Sequence, residues 1–272
     1  MPIPYVFIFD IDQCILGNVH HLVEEYHLYT ELKELYGEPK IPYVNTFKDD
    51  MKNGLLRPGF KDFIDCIKKR FKPCEIFVYT NSSYAWTNNC LVSTIEKAAN
   101  VKFNKPYFNR DNSILLYKSI EEAYQIIFPL LNKRYNNKLL KHKDDIIKNR
   151  LVFVDNIKDN TSTYVNRQIT CPVYDVYPYR CPYENMLVVF GSDIMWKKET
   201  EERIFSKDTY LEYYNPNSKD VQCKDLTLYH LYKLIKMRDS ELHNNKYKDD
   251  DFYLTLCNKL TDLSDKTLAN IK

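Results

Sequence analysis

The feature that most constrains the fold is a set of three short apolar runs, each of which ends in a polar cluster. Residues 5–9 (YVFIF) precede Asp10, and the runs EIFVY at 75–79 and RLVFV at 150–154 precede polar residues in the same way. Continuous apolar runs of this length are typical of strands that are buried on both faces in a parallel sheet covered by helices. A carboxylate at the end of such a strand is costly unless a partner or a metal holds it.

Helical patterns lie between the apolar runs. In RPGFKDFIDCIKKRF the apolar residues recur at helical spacing from Phe60 onward, and Pro58 stands near the start, where a missing N–H costs nothing. The segment SIEEAYQIIFPLL predicts a second helix, which begins with a capping box formed by Ser119 and Glu122. We expect Pro129 to end or kink this helix, because proline lacks the N–H that the helix interior needs.

The alternation of strands and helices predicts an α/β fold: a doubly wound, Rossmann-like parallel sheet with helices on both faces. A fourth strand is predicted at PVYDVY, residues 172–177. The insertion at 18–56 contains one amphipathic helix, LVEEYHLYTELKELY, and is too short for an independent cap domain with its own core. We therefore expect a core domain at 1–180 and, packed on it, a partly helical C-terminal extension at 181–272.

Two further segments of the extension carry local patterns. The stretch KDLTLYHLYKLIKM, residues 224–237, predicts a helix. The acidic block NNKYKDDDFY, residues 244–253, is interpreted as a solvated turn.

Composition limits the compartment and the partners. The formal net charge of +2 gives no reason to expect direct binding to nucleic acid. No apolar run reaches the roughly 18 residues of a membrane span, and the first residues lack the basic start of a signal peptide. The eight cysteines contain no C-x-x-C pair, which favours free thiols in a reducing compartment. We expect an intracellular protein of the cytoplasm, with the nucleus as the alternative, and no membrane partner.

The ends of the three strands bring together groups that suit phosphoryl transfer. Asp10 and Asp12 follow the first strand, Thr80 follows the second, and Asp155 follows the third, with Asp159 four residues later. Like charges at one sheet edge favour a hard divalent cation, and Mg²⁺ prefers one or two carboxylates together with a substrate phosphate. Thr80 offers a hydroxyl and a backbone N–H to a phosphoryl oxygen, and a carboxylate can act as the nucleophile. Each motif alone is more often a solvated turn or a helix cap, so the prediction depends on their joint placement.

The segments LRPGFKDFIDCIKKRFKPCEIFVYTNSS and LVFVDNIKDNTSTYVNRQITCPVYDV, together with the D-x-D at Asp10, resemble a known family. They are similar to motifs of the haloacid dehalogenase superfamily, most closely to its FCP/SCP-type (NLI-interacting-factor-like) protein phosphatases. KDLTLYHLYKLIKM resembles the closing helix of that family. The resemblance implies a Mg²⁺-dependent phosphatase that forms an aspartyl-phosphate intermediate and acts on phosphoserine or phosphothreonine in a protein segment.

The resemblance also implies a role for each matching residue. Asp10 would be the nucleophile, and Asp12 the general acid and then the general base. Thr80, Asn81 and Lys118 would bind the substrate, with Lys118 also neutralising the phosphate and orienting the nucleophile. Other lysines compete with Lys118 for this position, namely Lys133, Lys138, Lys141 and Lys143.

The same resemblance implies the metal ligands. Asp10, the Asp12 carbonyl and Asn156 would bind Mg²⁺, with Asp155 in support. Asp159 is an alternative for that supporting acid.

The chain departs from the family pattern at three positions. Cys14 stands where the family has threonine and Gln13 where an acid is common, from which we expect slower turnover. Asn81 replaces a small residue. Two alternatives stay open: a nucleotide or sugar-phosphate phosphatase of the same superfamily, and a catalytically silent scaffold whose Tyr-rich extension binds a partner.

Overall fold

The computed structural model describes most of the chain, in residues 2–112, 118–158, 167–178, 182–195, 197–200 and 243–271. The chain divides into two compact units. The first contains Met1–Gly17, Leu56–Tyr174 and Asp249–Lys272, and the second contains Asn18–Leu55 and Asp175–Lys248. The predicted division differs, because it places 18–56 inside the core domain and assigns everything after 180 to one extension.

The helices of the described residues are, in chain order, α1 His20–Tyr36, α2 Tyr43–Asp50, α3 Phe60–Arg70, α4 Tyr84–Trp86, α5 Val92–Ala99, α6 Ile120–Arg134, α7 Lys143–Asp145, α8 Pro182–Phe190, α9 Ser192–Met195, α10 Phe252–Lys259 and α11 Asp265–Ala269. Short 3₁₀ or π turns occupy Met51–Leu55, Thr87–Leu91, Arg110–Asn112, Leu140–His142, Ile146–Arg150 and Asn245–Tyr247. None of these helices is both long and apolar enough to span a membrane.

The first unit is built on a parallel sheet whose strand order is β2-β1-β3-β4. Its strands are β1 Tyr5–Phe9, β2 Cys74–Val78, β3 Leu151–Asp155 and β4 Gln168–Thr170. In the register of the sheet, Phe9 lies beside both Val78 and Val154, so the three strands end at the same level. The predicted α/β sheet is confirmed, and so are its first three strands to within one residue.

Helices cover both faces of this sheet. Val6 and Ile8 point to one face, where they belong to a buried cluster with Ile127 of α6. Phe9 points to the other face, where its ring lies 5.7 Å from that of Phe60 on α3 in an edge-on contact. Alternate side chains of one strand therefore serve two helical layers, as a doubly wound sheet requires.

The fourth strand lies earlier in the chain than predicted. β4 spans Gln168–Thr170, and the predicted segment 172–177 contains no regular structure. The backbone N–H of Cys171 still donates to the Asp155 carbonyl at 2.9 Å. Pro172 follows and has no N–H to donate, so the ladder ends there. The apolar alternation of PVYDVY is therefore a property of a packed loop.

Pro129 does not end its helix. α6 runs from Ile120 to Arg134, and the Ser119 hydroxyl accepts from the Glu122 N–H as the capping box predicts. Ile127 and Leu131, on either side of Pro129, are both buried. The apolar contacts of this face therefore outweigh the backbone hydrogen bond that proline removes.

The second unit is a cluster of helices drawn from two distant segments. α1 and α2 pack against α8, and the Tyr29 ring lies 5.1 Å from that of Tyr43 and 6.0 Å from that of Phe190. Leu28 and Phe47 are fully buried in this unit. The insertion is too short for a core of its own, but it completes one with residues beyond 175.

The C-terminal residues correct two further predictions. Cys66 and Cys257 form a disulfide, whereas the cysteine pattern predicted free thiols throughout. Their helices α3 and α10 pack together, which brings close two cysteines that lie 191 residues apart in sequence. The block at 244–253 is not simply a solvated turn either, because Tyr253 is fully buried. The predicted helix at 224–237 lies outside the described residues.

Candidate active site

Two buried carboxylates meet one buried lysine at the carboxyl edge of the sheet. Asp10 follows β1, Asp155 ends β3, and Lys118 comes two residues before α6. The Lys118 Nζ atom lies 2.6 Å from Asp10 Oδ1 and 2.9 Å from Asp155 Oδ2. All three side chains are at most 6% exposed. Their contact explains how two neighbouring acids can be buried at a strand end, since the cation between them offsets their repulsion.

The backbone fixes the two carboxylates further. Asp10 Oδ1 accepts a second hydrogen bond from the Ile11 N–H at 2.7 Å, and Asp155 Oδ1 accepts from the Ile157 N–H at 2.7 Å. The Asp10 N–H donates to the Val154 carbonyl at 2.9 Å. Neither carboxylate can turn without losing one of these bonds.

Burial sets the electrostatics of the site. It raises the pKa of Asp10 to about 7, with Lys118 opposing the shift and Asp155 adding to it. Burial lowers the pKa of Lys118, but the charges of Asp10 and Asp155 outweigh it and hold that pKa above its ordinary value. The raised pKa favours the charged form of Lys118, which places a positive charge beside Asp10.

The side chain of Asn156 tests whether these residues fit a metal. One end of its amide lies 3.3 Å from both Asp10 Oδ2 and Asp155 Oδ1, while its other end lies 3.3 Å from Gln13 Oε1. With the amide oxygen toward the carboxylates, three oxygen atoms converge without a donor between them, which is the ligand type that Mg²⁺ prefers. With the amide nitrogen toward them, it donates to both carboxylates. The residues fit a hard cation, although no group of three acidic, histidine or cysteine side chains suited to a metal occurs among the described residues.

Asp12 lies on the turn after β1. Its side chain is half-buried, whereas those of Asp10 and Asp155 are buried. We name residues 11–17 the Asp12 loop. Its Gln13 has a left-handed backbone with φ of 54°, and the Gln13 carbonyl accepts from the Tyr174 N–H at 3.0 Å.

Thr80 follows β2 at the same edge. The side chain is 1% exposed, and its hydroxyl accepts from the Ser82 N–H at 3.2 Å. Its backbone N–H donates to the Phe108 carbonyl at 3.0 Å, so the expectation that this N–H serves a phosphoryl oxygen is wrong for this conformation. The hydroxyl hydrogen remains a donor that Thr80 can offer. Asn81 is exposed beside it.

The structure places Lys118 at the site and the competing lysines on the surface. Each of the competitors, Lys133, Lys138, Lys141 and Lys143, is exposed. Asp159 lies outside the described residues. The geometry thus brings together Asp10, Asp155, Asn156 and Lys118, while the roles of these residues stay predictions.

Sequence reasoning missed two aromatic residues around the lysine. The Lys118 Nζ atom lies 5.5 Å from the centroid of the Phe153 ring and 6.0 Å from that of Tyr79. The Tyr79 hydroxyl also accepts from the Ser119 N–H at 3.3 Å. Tyr79 ends the strand-like run 75–79, and Phe153 is the last aromatic residue of the run 150–154, which is the signal that could have located them.

Comparisons with known proteins give one distant structural likeness. No family model matches the chain, and no curated protein matches it in sequence. Among solved structures it is similar to a variant of the fission yeast RNA polymerase II CTD phosphatase Fcp1 bound to beryllium fluoride. Identity is 15% and the TM-score 0.38, over 98% of this chain and 70% of that one.

Proposed function

We propose that this protein is a Mg²⁺-dependent phosphatase that forms an aspartyl-phosphate on Asp10. The observation that carries the proposal is the contact of Lys118 with Asp10 at 2.6 Å and with Asp155 at 2.9 Å at the ends of neighbouring parallel strands. A buried ion cluster with purely structural value would not need a strand edge, whereas ligands of open α/β sheets bind there.

In the first step a carboxylate oxygen of Asp10 attacks the phosphorus of a phosphate monoester. The Ile11 N–H and Lys118 both hold Oδ1, so the carboxylate meets the phosphate in one orientation. The bond from phosphorus to the leaving oxygen breaks, and Asp12 gives that oxygen a proton. Lys118 and the Thr80 hydroxyl offset the charge on the phosphoryl oxygens.

In the second step water attacks the phosphorus of the aspartyl-phosphate. Asp12, now ionised, takes a proton from this water, and the bond between phosphorus and the Asp10 oxygen breaks. Inorganic phosphate leaves, and the Asp10 carboxylate is restored. Asp12 suits both steps because its side chain is half-buried and can reach solvent.

Asp10, Asp155, Asn156 and the Asp12 carbonyl would hold Mg²⁺. The cation, when bound, supplies positive charge that neutralises the phosphoryl group and the two carboxylates. Turnover of p-nitrophenyl phosphate with Mg²⁺, and again after chelation, tests the proposal. We expect turnover that requires the cation; no turnover under either condition would favour the silent scaffold.

For the substrate, we propose phosphoserine or phosphothreonine in a protein segment. Support comes from exposed lysines at the end of α6 and in the segment that follows it, which include Lys133, Lys138 and Lys141 and can attract an acidic segment. The insertion takes part in a second compact unit, so its length does not exclude a small-molecule substrate.

A substrate panel separates these two classes. We expect kcat/KM to be higher on a phosphoserine peptide than on any common nucleotide or sugar phosphate. A mononucleotide that exceeds every phosphopeptide by about tenfold or more would replace the protein substrate with the small-molecule alternative.

A further inference from the structure

The C-terminal part of the first unit contacts the Asp12 loop. We name residues 249–260 the C-terminal latch. The hydroxyl of its Tyr253 donates to the Cys14 carbonyl at 3.4 Å and lies 3.6 Å from Cys14 Sγ. The Tyr253 ring packs 5.2 Å from Phe60 and 5.3 Å from Phe63 on α3. The fully buried Tyr253 thus joins the loop to the helix layer beneath it.

A buried arginine makes a second connection. Arg57 donates from Nε and from Nη2 to the two carboxylate oxygens of Asp250, each at 2.9 Å. Its Nη1 donates to the Pro172 carbonyl at 2.8 Å, and its backbone N–H donates to the Ile15 carbonyl at 2.9 Å. The Arg57 side chain is 0% exposed. One residue therefore joins the latch, the Asp12 loop and the segment after β4.

The latch is also tethered covalently. The disulfide joins Cys257 in α10 to Cys66 in α3. Gly59, at the start of α3, has φ of +73°, and a Cβ there would lie 2.9 Å from Leu254 Cγ. The close contact explains why the R-P-G segment needs glycine at this position.

We propose that the C-terminal latch positions the Asp12 loop for catalysis, with Asp250 and Tyr253 as positioning residues and the Cys66–Cys257 disulfide as the tether. Asp12 follows β1 by three residues and is not part of the sheet, so the contacts of Cys14 and Ile15 with the latch restrict its place. Loss of the latch is expected to displace Asp12, the proposed general acid and base, while Asp10, Lys118 and Asp155 keep their positions. We build this on the proposed function, but loop position can be measured without it.

Cys14 is a built-in reporter of that position. Its thiol is 0% exposed and lies 3.3 Å from Cys171 Sγ. Cys90, which is buried and not part of the disulfide, lies far from the Asp12 loop in sequence. The rate of Cys14 alkylation by N-ethylmaleimide, mapped by peptide mass spectrometry, reports opening of the loop. The rate at Cys90 in the same sample reports unfolding of the unit as a whole.

We expect Asp250→Asn in the full chain to speed alkylation of Cys14 by about tenfold or more with little change at Cys90. We expect smaller increases in the ratio of Cys14 to Cys90 alkylation for Tyr253→Phe, which removes only the hydroxyl. The same holds for the double variant Cys66→Ser with Cys257→Ser. Asp249→Asn is the matched control, because that carboxylate is exposed. Equal rates at Cys14 in Asp250→Asn and Asp249→Asn, or parallel increases at Cys14 and Cys90, would overturn the proposal.

The kinetic arm uses p-nitrophenyl phosphate and the same variants. We expect Asp250→Asn to lower kcat by about tenfold to a hundredfold with KM unchanged, because a misplaced acid slows chemistry more than binding. A loss confined to KM would overturn the positioning role. A wild-type protein without turnover would refute the proposed phosphatase, while the ratio of Cys14 to Cys90 alkylation would still decide whether the latch holds the loop.

Discussion

Two pairs of buried acids, one in each unit, differ in what surrounds them. In the first unit Asp10 and Asp155 share Lys118, whose Nζ atom contacts both. In the second unit Glu25 and Asp50 share Asn185, whose Nδ2 atom lies 3.3 Å from Glu25 Oε2 and 3.5 Å from Asp50 Oδ2. The first pair receives a full positive charge, whereas the amide gives the second pair only hydrogen bonds.

The protonation of the two pairs differs accordingly. Burial, and then the charge of Asp50, raises the pKa of Glu25 well above its ordinary value. Burial raises the pKa of Asp10 only to about 7, because Lys118 opposes the shift. The raised pKa favours the protonated form of Glu25, whereas Lys118 favours the ionised form of Asp10, as the proposed nucleophile requires. The proposed active site therefore differs from the second buried pair by its lysine and by its place at the carboxyl edge of the sheet.

The largest expected effect is the loss of phosphatase activity when the Asp10–Asp155 pair, but not the Glu25–Asp50 pair, is altered. Asp10→Asn should reduce phosphatase turnover by about a thousandfold or more, because an amide cannot attack phosphorus, and it should leave the fold intact. Steady-state kinetics and circular dichroism measure the two outcomes. Glu25→Gln is the matched change in the other pair and should keep turnover within about twofold. A variant of Asp10 with more than a few per cent of wild-type turnover would remove it as the nucleophile.

The next effect tests the lysine. Lys118→Met leaves Asp10 and Asp155 buried together without their cation, which should lower the free energy of unfolding by about 3–5 kcal/mol and abolish turnover. Chemical denaturation measures the first and kinetics the second. Lys133→Met, at an exposed position of α6, should change the free energy of unfolding by less than about 0.5 kcal/mol. Equal effects of the two substitutions would show that Lys118 is not the cation of the site.

The smallest effect concerns pH. Because the folded pKa of Glu25 lies above the unfolded one, the folded state binds more protons between the two values, and stability falls as pH rises through that window. The Tm of the wild-type protein should therefore fall as the pH rises from about 5 to about 8, a range on both sides of neutrality. Glu25→Gln should remove part of this fall. Glu34→Gln, at an exposed position of the same helix, is the control. An identical fall of Tm in both variants would show that ionisation of Glu25 does not contribute to the pH dependence of stability.

Local patterns predicted the strands and the candidate site. The runs that end at Phe9 and at Val154 lie beside each other as expected, and Lys118 reaches the carboxylates although several other lysines matched the same expectation. Apolar runs, caps and helical spacing report what each short segment buries, so they locate strand ends well.

Contacts between distant segments could not be predicted. The Arg57–Asp250 pair spans 193 residues, and the helical unit combines residues 18–55 with residues after 175. An aspartate in an acidic block looks solvated whether or not an arginine far away in sequence is buried against it. The disulfide escaped prediction for the same reason, because no short spacing marks it.

The most direct test of the central claim, that Asp10 is the phosphorylated nucleophile, uses Asp12→Asn. Without a base to activate water, this variant should accumulate phosphoenzyme after rapid mixing with a substrate that has a good leaving group. The account predicts an acid-stable, hydroxylamine-labile phosphate in the peptide that contains Asp10, and none when Asp10→Asn is added. Phosphate found on another residue, or full turnover of Asp12→Asn with no covalent intermediate, would contradict it.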